Sequence, residues 1–136
     1  MPRTVSATKS EATERAALRR RVKQFYRRFN EADWDGCFAL VDPELTRRRK
    51  VNLNAYSERM REFKNAYGDV RLRWIDLSLH LHGAPRQGDA RPFAYAYLLW
   101  QDDTHQFHLF RERWVKDEGK WFTRVAGLVP DRSAGG

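Results

Sequence analysis

The hydrophobic period of this chain changes once, and the change divides it in two. As far as Tyr67 the apolar residues recur every three or four positions; from Val70 onward they alternate. A helix gathers one face at the first spacing and a strand at the second, so the chain reads as helices followed by strands. Three helices are expected. The first follows Thr8 and Glu11, which have the spacing of a capping box, and turns Leu18, Val22, Phe25 and Phe29 inward with Tyr26 widening the stripe. Its other faces carry Arg19, Arg20, Arg21, Lys23, Arg27 and Arg28. Asp33 is a natural N-cap for a short second helix with Trp34, Cys37, Phe38 and Val41 inside. Pro43 ends it, because the residue before a proline avoids helical dihedrals. Residues 44–51 show no clear period. Leu53, Tyr56, Met60, Phe63 and Tyr67 then mark a third helix, stopped by Gly68.

In the alternating half, Val70, Leu72 and Trp74 share one parity while Ile75, Leu77, Leu79 and Leu81 take the other. That switch predicts a bulge or bend within 74–76. After a loop at 83–89 come strands over 93–100, 106–116 and 121–126, joined by a tight turn at 102–104 and a hairpin turn at Glu118 and Gly119. The expected fold is α+β, with three N-terminal helices packed on a curved four-stranded antiparallel sheet. Residues 1–9 read as a flexible leader, 10–129 as the domain and 130–136 as a flexible tail. Large aromatics on both strand parities predict a homodimer through the sheet.

Composition narrows the classes. A chain of 136 residues can bury a core without disulfides or a metal. Its longest apolar run, 93–100, is far too short to span a bilayer, and residues 1–14 have no secretory h-region. Cys37 stands alone, which excludes an intrachain disulfide, a Cys-based zinc site and a CxxC pair. The expected compartment is the cytoplasm, with no membrane partner. Lys and Arg number 26 against 18 Asp and Glu, a formal charge of +8. An anionic partner is one reading of that excess and solubility is the other, since acids are interleaved among the bases. Arg19, Lys23 and Arg27 stack on one side of the first helix, and the basic run 47–50 would extend the patch if it folded back beside them. No aromatic is interleaved there to stack bases, so no specific nucleic-acid partner is expected.

Residues 25–44 resemble the opening of SnoaL-like members of the nuclear transport factor 2-like superfamily. The resemblance rests on an aromatic-rich helix (Phe25, Phe29), then Asn30, Ala32, Asp33, Trp34 and Asp35, then a short helix ending at Asp42 and Pro43. Residues 112–121, with Trp114, Gly119 and Trp121, resemble that group's last hairpin. With the order of elements, the likeness spans about residues 11–128 and implies a cone-shaped, cystatin-like roll with a pocket. It implies binding of a small, partly apolar molecule, with lyase, isomerase and cyclase chemistry all found in the group beside non-catalytic dimerisation modules. The ketosteroid isomerase residues do not carry over. Phe25 stands where that family has its oxyanion-hole tyrosine, and the general-base position falls within 46–49, which offers Thr46 and three arginines. A guanidinium cannot serve as a base near neutral pH.

Other residues are the candidates for chemistry. Asp76 lies mid-strand among apolar neighbours; pointing inward it would be a general acid or base, pointing outward a partner for a neighbouring arginine. Tyr26, Trp74, Tyr95, Tyr97, His108 and Glu112 are the candidate ligand-binding residues. An inward cluster of Tyr, Arg and Glu would hold an acidic or hydroxylated ligand, whereas cross-strand pairing, as of Glu112 with Arg124, would make the same residues structural. Hairpin register decides between these, and a one-residue slip exchanges every face. His80 and His82 share a strand face but lack a third ligand, so no metal and no cofactor are expected. Cys37, on an inner stripe, reads as a packing residue. Two functions remain open: a pocket-bearing domain that binds a small molecule, and an interaction module with a dimerising sheet and a basic surface.

Overall fold

The computed structural model describes residues 2–47, 51–83 and 90–124, with side chains from Ser10 onward. Four helices precede four strands: α1 (Pro2–Asn30), α2 (Trp34–Phe38), α3 (Pro43–Arg47), α4 (Leu53–Tyr67), β1 (Arg71–His80), β2 (Phe93–Gln101), β3 (Phe107–Asp117) and β4 (Lys120–Thr123). The strands form one antiparallel sheet in chain order, so the fold is α+β.

Two helix boundaries differ from expectation. α1 starts at Pro2, upstream of the Thr8 capping-box position, because proline suits a first helical turn and no breaker follows it. A fourth helix, α3, occupies part of the segment that showed no period. α2 already stops at Phe38 with Ala39 as its C-cap, ahead of the expected end at Asp42 and Pro43, and that pair instead begins α3: the Asp42 carboxylate accepts from the Glu44 amide and its carbonyl from those of Leu45 and Thr46. Of the basic run 47–50, only Arg47 is among the described residues; the loop at 84–89, the tail at 130–136 and the end of the expected fourth strand, 125–126, lie outside them.

The remaining boundaries follow local chemistry. Asp33 accepts from the Gly36 amide at 2.9 Å and Asn52 from the Ala55 amide at 2.9 Å, which starts α2 and α4. At the end of α4, Gly68 has φ +77°, and a β-carbon there would sit 2.0 Å from Asp103 Oδ2. Glu118 and Gly119 both have positive φ, the signature of a type I′ hairpin. The bulge in β1 falls between Leu72 and Trp74, slightly before its expected place.

That bulge sorts the sheet into two faces. Leu72, Trp100 and His108 lie on the face toward the helices, followed in rows by Ile75, Leu98 and Phe110, then Leu77, Ala96 and Glu112. Against them pack Leu18, Val22, Phe25, Tyr26 and Phe29 of α1, Trp34 and Cys37 of α2, and Tyr56, Met60 and Phe63 of α4, in one core. Asn30 fixes the end of α1: its side-chain amide exchanges two 2.8 Å hydrogen bonds with the Val70 backbone at the entrance to β1. Arg15 and Arg19 donate to the carbonyls of Leu77 and Ile75, so α1 caps the free edge of β1. An edge occupied this way is a poor template for strand addition.

Candidate functional site

The residues that chemistry would need are divided between the two faces. Tyr26 and Glu112 meet inside. The Tyr26 hydroxyl donates to Glu112 Oε2, and the Trp114 indole donates to Oε1 at 3.0 Å. Glu112 is only 1% exposed. Its register partner is Ala96, not Arg124, so Glu112 makes no cross-strand ion pair with that arginine. Burial pushes the Glu112 carboxyl up to about 7 against the pull of the two donated hydrogen bonds. The same burial, with the Glu112 charge beside it, raises the Tyr26 phenol well above its ordinary value. Burial also raises Tyr56, whose hydroxyl has no hydrogen-bond partner among the described residues. It pushes the buried Cys37 thiol up to about 12, far from a reactive thiolate. Phe25, beside Tyr26 and Trp114 in edge-to-face contacts, completes a packed aromatic interior.

Asp76, Trp74, Tyr95 and Tyr97 point the other way. Asp76 is exposed on the outer face and accepts from the Leu77 amide. This is the outward placement opposite the leucine-rich parity. Tyr95 is half-buried beneath Arg111, whose guanidinium lies 5.0 Å from the ring centre, and Arg113 covers Phe93 at 4.2 Å. Trp74, Leu99 and Leu109 lie abreast across three strands, with Tyr97 in the next row and Phe107 in the row before. Among the described residues five large hydrophobic side chains are exposed, and four of them are in this belt: Trp74 at 50%, Tyr97 at 37%, Phe107 at 58% and Leu109 at 75%.

His108 sits apart from both groups. It stacks on Trp100 at 4.3 Å and shares a 2.8 Å hydrogen bond with Asp102. Asp102 also accepts from the hydroxyl and amide of Thr104 and the amide of Gln106. The His108 bond, with those of Thr104, holds the Asp102 carboxyl well below the usual carboxylate range. The arrangement pins the turn between β2 and β3.

A buried ionic hub lies at the far end of the sheet. Arg91 donates to both oxygens of Asp42 at 2.9 Å, Arg124 to Oδ2 at 2.8 Å, and Arg91 also to Asp117 at 3.0 Å. Burial raises the Asp42 carboxyl, but the hydrogen bonds from Arg91 and Arg124 together outweigh it and hold the pKa below its ordinary value. Sequence reasoning took Asp42 only as a helix end. Its partners lie 49 and 82 positions away, and no local signal marks them.

The third surface is basic. Ala17, Arg20, Arg21, Lys23, Gln24 and Arg27 of α1 face Gly119, Lys120 and Trp121 across an open groove of about 570 Å³. Arg21 is anchored, donating to the Trp121 carbonyl at 2.9 Å and lying over Phe122. Arg19, expected in this row, has turned to the β1 edge instead.

Among the described residues no cluster of three or more His, Cys, Asp or Glu is placed to hold a metal ion, and no helix is long and apolar enough to cross a membrane. No protein-family model, curated protein or solved structure matches the chain.

Proposed function

We propose that this chain is an interaction module that forms a homodimer through the outer face of its sheet and offers a basic groove to an anionic partner. The observation that carries the reading is the apolar belt of Trp74, Leu99, Leu109, Tyr97 and Phe107 on a face that no described helix covers. Exposed apolar patches of this kind mark interaction sites. An isologous contact sets the belt against its own copy, which one self-complementary surface satisfies. The capped edge of β1 directs association to the face rather than to the edge.

The distribution of ionisable residues favours this over pocket chemistry. A general acid–base site needs its groups around one space a substrate can enter. Here Glu112 and Tyr26 are sealed among aromatics, while Asp76, Tyr95 and Tyr97 lie on the opposite side of the same strands. We assign the chain to the nuclear transport factor 2-like superfamily. The support is the helices-then-meander order and the structural work done by Asn30, Asp33 and Trp34. A lone buried thiol suits a reducing compartment, so we place the module in the cytoplasm.

Sedimentation equilibrium at tens of micromolar tests the assembly, a range that detects even modest affinity. The wild-type chain is expected to sediment as a dimer and Leu109→Asp as a monomer whose denaturant midpoint matches that of the wild type diluted to monomer. A wild-type monomer at that concentration removes the dimer from the proposal.

A further inference from the structure

The groove between α1 and the β3–β4 turn has more positive charge than its surroundings neutralise. Arg20, Lys23, Arg27 and Lys120 line it, and none of the four makes an ion pair or side-chain hydrogen bond among the described residues. Among the described residues no acidic side chain lines it either. The nearest acid on α1 toward its start, Glu14, is already bonded to Lys116 and to the Trp121 indole. Arg28 adds to the field: burial first, and then the Arg28 charge, lowers the pKa of Arg21. Like charges gathered in a concave surface attract a counter-charged ligand.

Resting on the interaction-module reading, we infer that this groove binds a short acidic peptide segment with carboxylates every three or four residues. Positions 20, 23 and 27 follow one side of the helix, which at 1.5 Å per residue makes a row roughly 10 Å long. Carboxylates at helical i, i+3 and i+7 spacing repeat at the same interval. Ala17 and the aliphatic stems of the cations supply an apolar floor, and the Gln24 amide supplies a donor and an acceptor for a backbone.

Nucleic acid fits less well. A row of about 10 Å engages only two or three phosphates, and so few neutralised charges give only weak electrostatic attachment to a polyanion. Trp121, the one aromatic lining the groove among the described residues, is buried with its indole nitrogen committed, so those residues offer bases no stacking platform. Glu31, one turn beyond Arg27, and Glu118, beside Gly119, bracket the groove with exposed acids that repel a longer polyanion. A short segment fits between them.

Fluorescence anisotropy with the full chain tests this at about 0.15 M salt, where surface pairs are already screened. The probes are a labelled peptide of about twelve residues with Glu at every third or fourth position among Ala, its Glu→Gln counterpart, and a labelled duplex DNA of similar length. The acidic peptide is expected to bind in the micromolar range, the Gln peptide at least about tenfold more weakly, and the DNA no more tightly than the acidic peptide. Lys23→Glu with Arg27→Glu should lower peptide affinity at least about tenfold, and Lys23→Arg with Arg27→Lys should restore it. Peptide binding that is absent, that ignores the charge reversal, or that is exceeded by the DNA overturns the inference. The Leu109→Asp chain should bind the peptide as wild type does. A wild-type chain that binds the peptide but sediments as a monomer therefore counts against the assembly alone, and a wild-type dimer that does not bind it counts against the groove alone.

Discussion

The two faces of the sheet are made by the same strands, yet they obey opposite rules. Inside, Trp100, Trp114 and Leu98 are fully buried, and even a glutamate is sealed in because two donors hold its oxygens. Outside, Trp74, Leu99 and Leu109 form a row as apolar as many interior ones, but two of the three are exposed. Alternation alone sets this contrast, since neighbouring side chains on a strand point to opposite sides. What differs is the cover. α1, α2 and α4 supply a full complement of aromatic and aliphatic groups to one face, while on the other the described residues place arginines and His80 against Tyr95 and Phe93 but no helix. This is the face for which a partner is proposed, because it carries core-type residues that the described helices do not cover.

Substitutions on the two faces should therefore differ in kind. The largest effect is expected inside: Trp114→Ala removes a fully buried indole and the donor to Glu112 Oε1, and should cost about 4 kcal/mol in a denaturant titration. A cost below about 1 kcal/mol would mean the interior is not packed as described.

The next effect is a pH dependence. The Glu112 pKa is raised on folding, from an ordinary 4.5 to about 7. The unfolded chain then ionises first as pH rises, so stability is highest below about 4.5, falls between there and 7, and stays lower above. By linkage the fall approaches about 3 kcal/mol. Glu112→Gln cannot ionise, so the difference between wild type and variant should change with pH in this window. Parallel stability profiles from pH 4.5 to 7.5 would show that Glu112 is not desolvated.

A smaller effect concerns the helix start that holds Trp34 inward. Asp33→Ala removes the acceptor for the Gly36 amide and should cost about 1 kcal/mol, with association unchanged. Smallest in stability is Leu109→Asp. An exposed position of this kind should shift the monomer's unfolding free energy by less than about 0.5 kcal/mol while abolishing the dimer.

The contrast between the faces was partly legible in the chain. The change from helical to alternating period separates helices from strands, and the leucine-rich parity after the β1 bulge leans toward an outward Asp76 without deciding between the two orientations. Arg111 and Arg113 flank Glu112 with opposite parity, which is the signal that Glu112 faces inward beside Trp114. Register was not legible. Whether Glu112 meets Ala96 or Arg124 depends on hairpin pairing, which composition does not specify. The Tyr26–Glu112 contact joins positions 86 apart, and the Asp42 hub draws on arginines from two distant loops. Such contacts exist only once the tertiary structure brings them together.

Trp74 gives direct access to the central claim. It is the one tryptophan of the five that is exposed; Trp34, Trp100, Trp114 and Trp121 are buried. Acrylamide quenching of tryptophan fluorescence therefore reports chiefly on the outer face. Measured across a dilution series, quenching should be strong in the dilute monomer and fall as protein concentration rises, in step with the mass from sedimentation. Quenching that stays strong while the chain is dimeric would place the interface elsewhere and contradict the account.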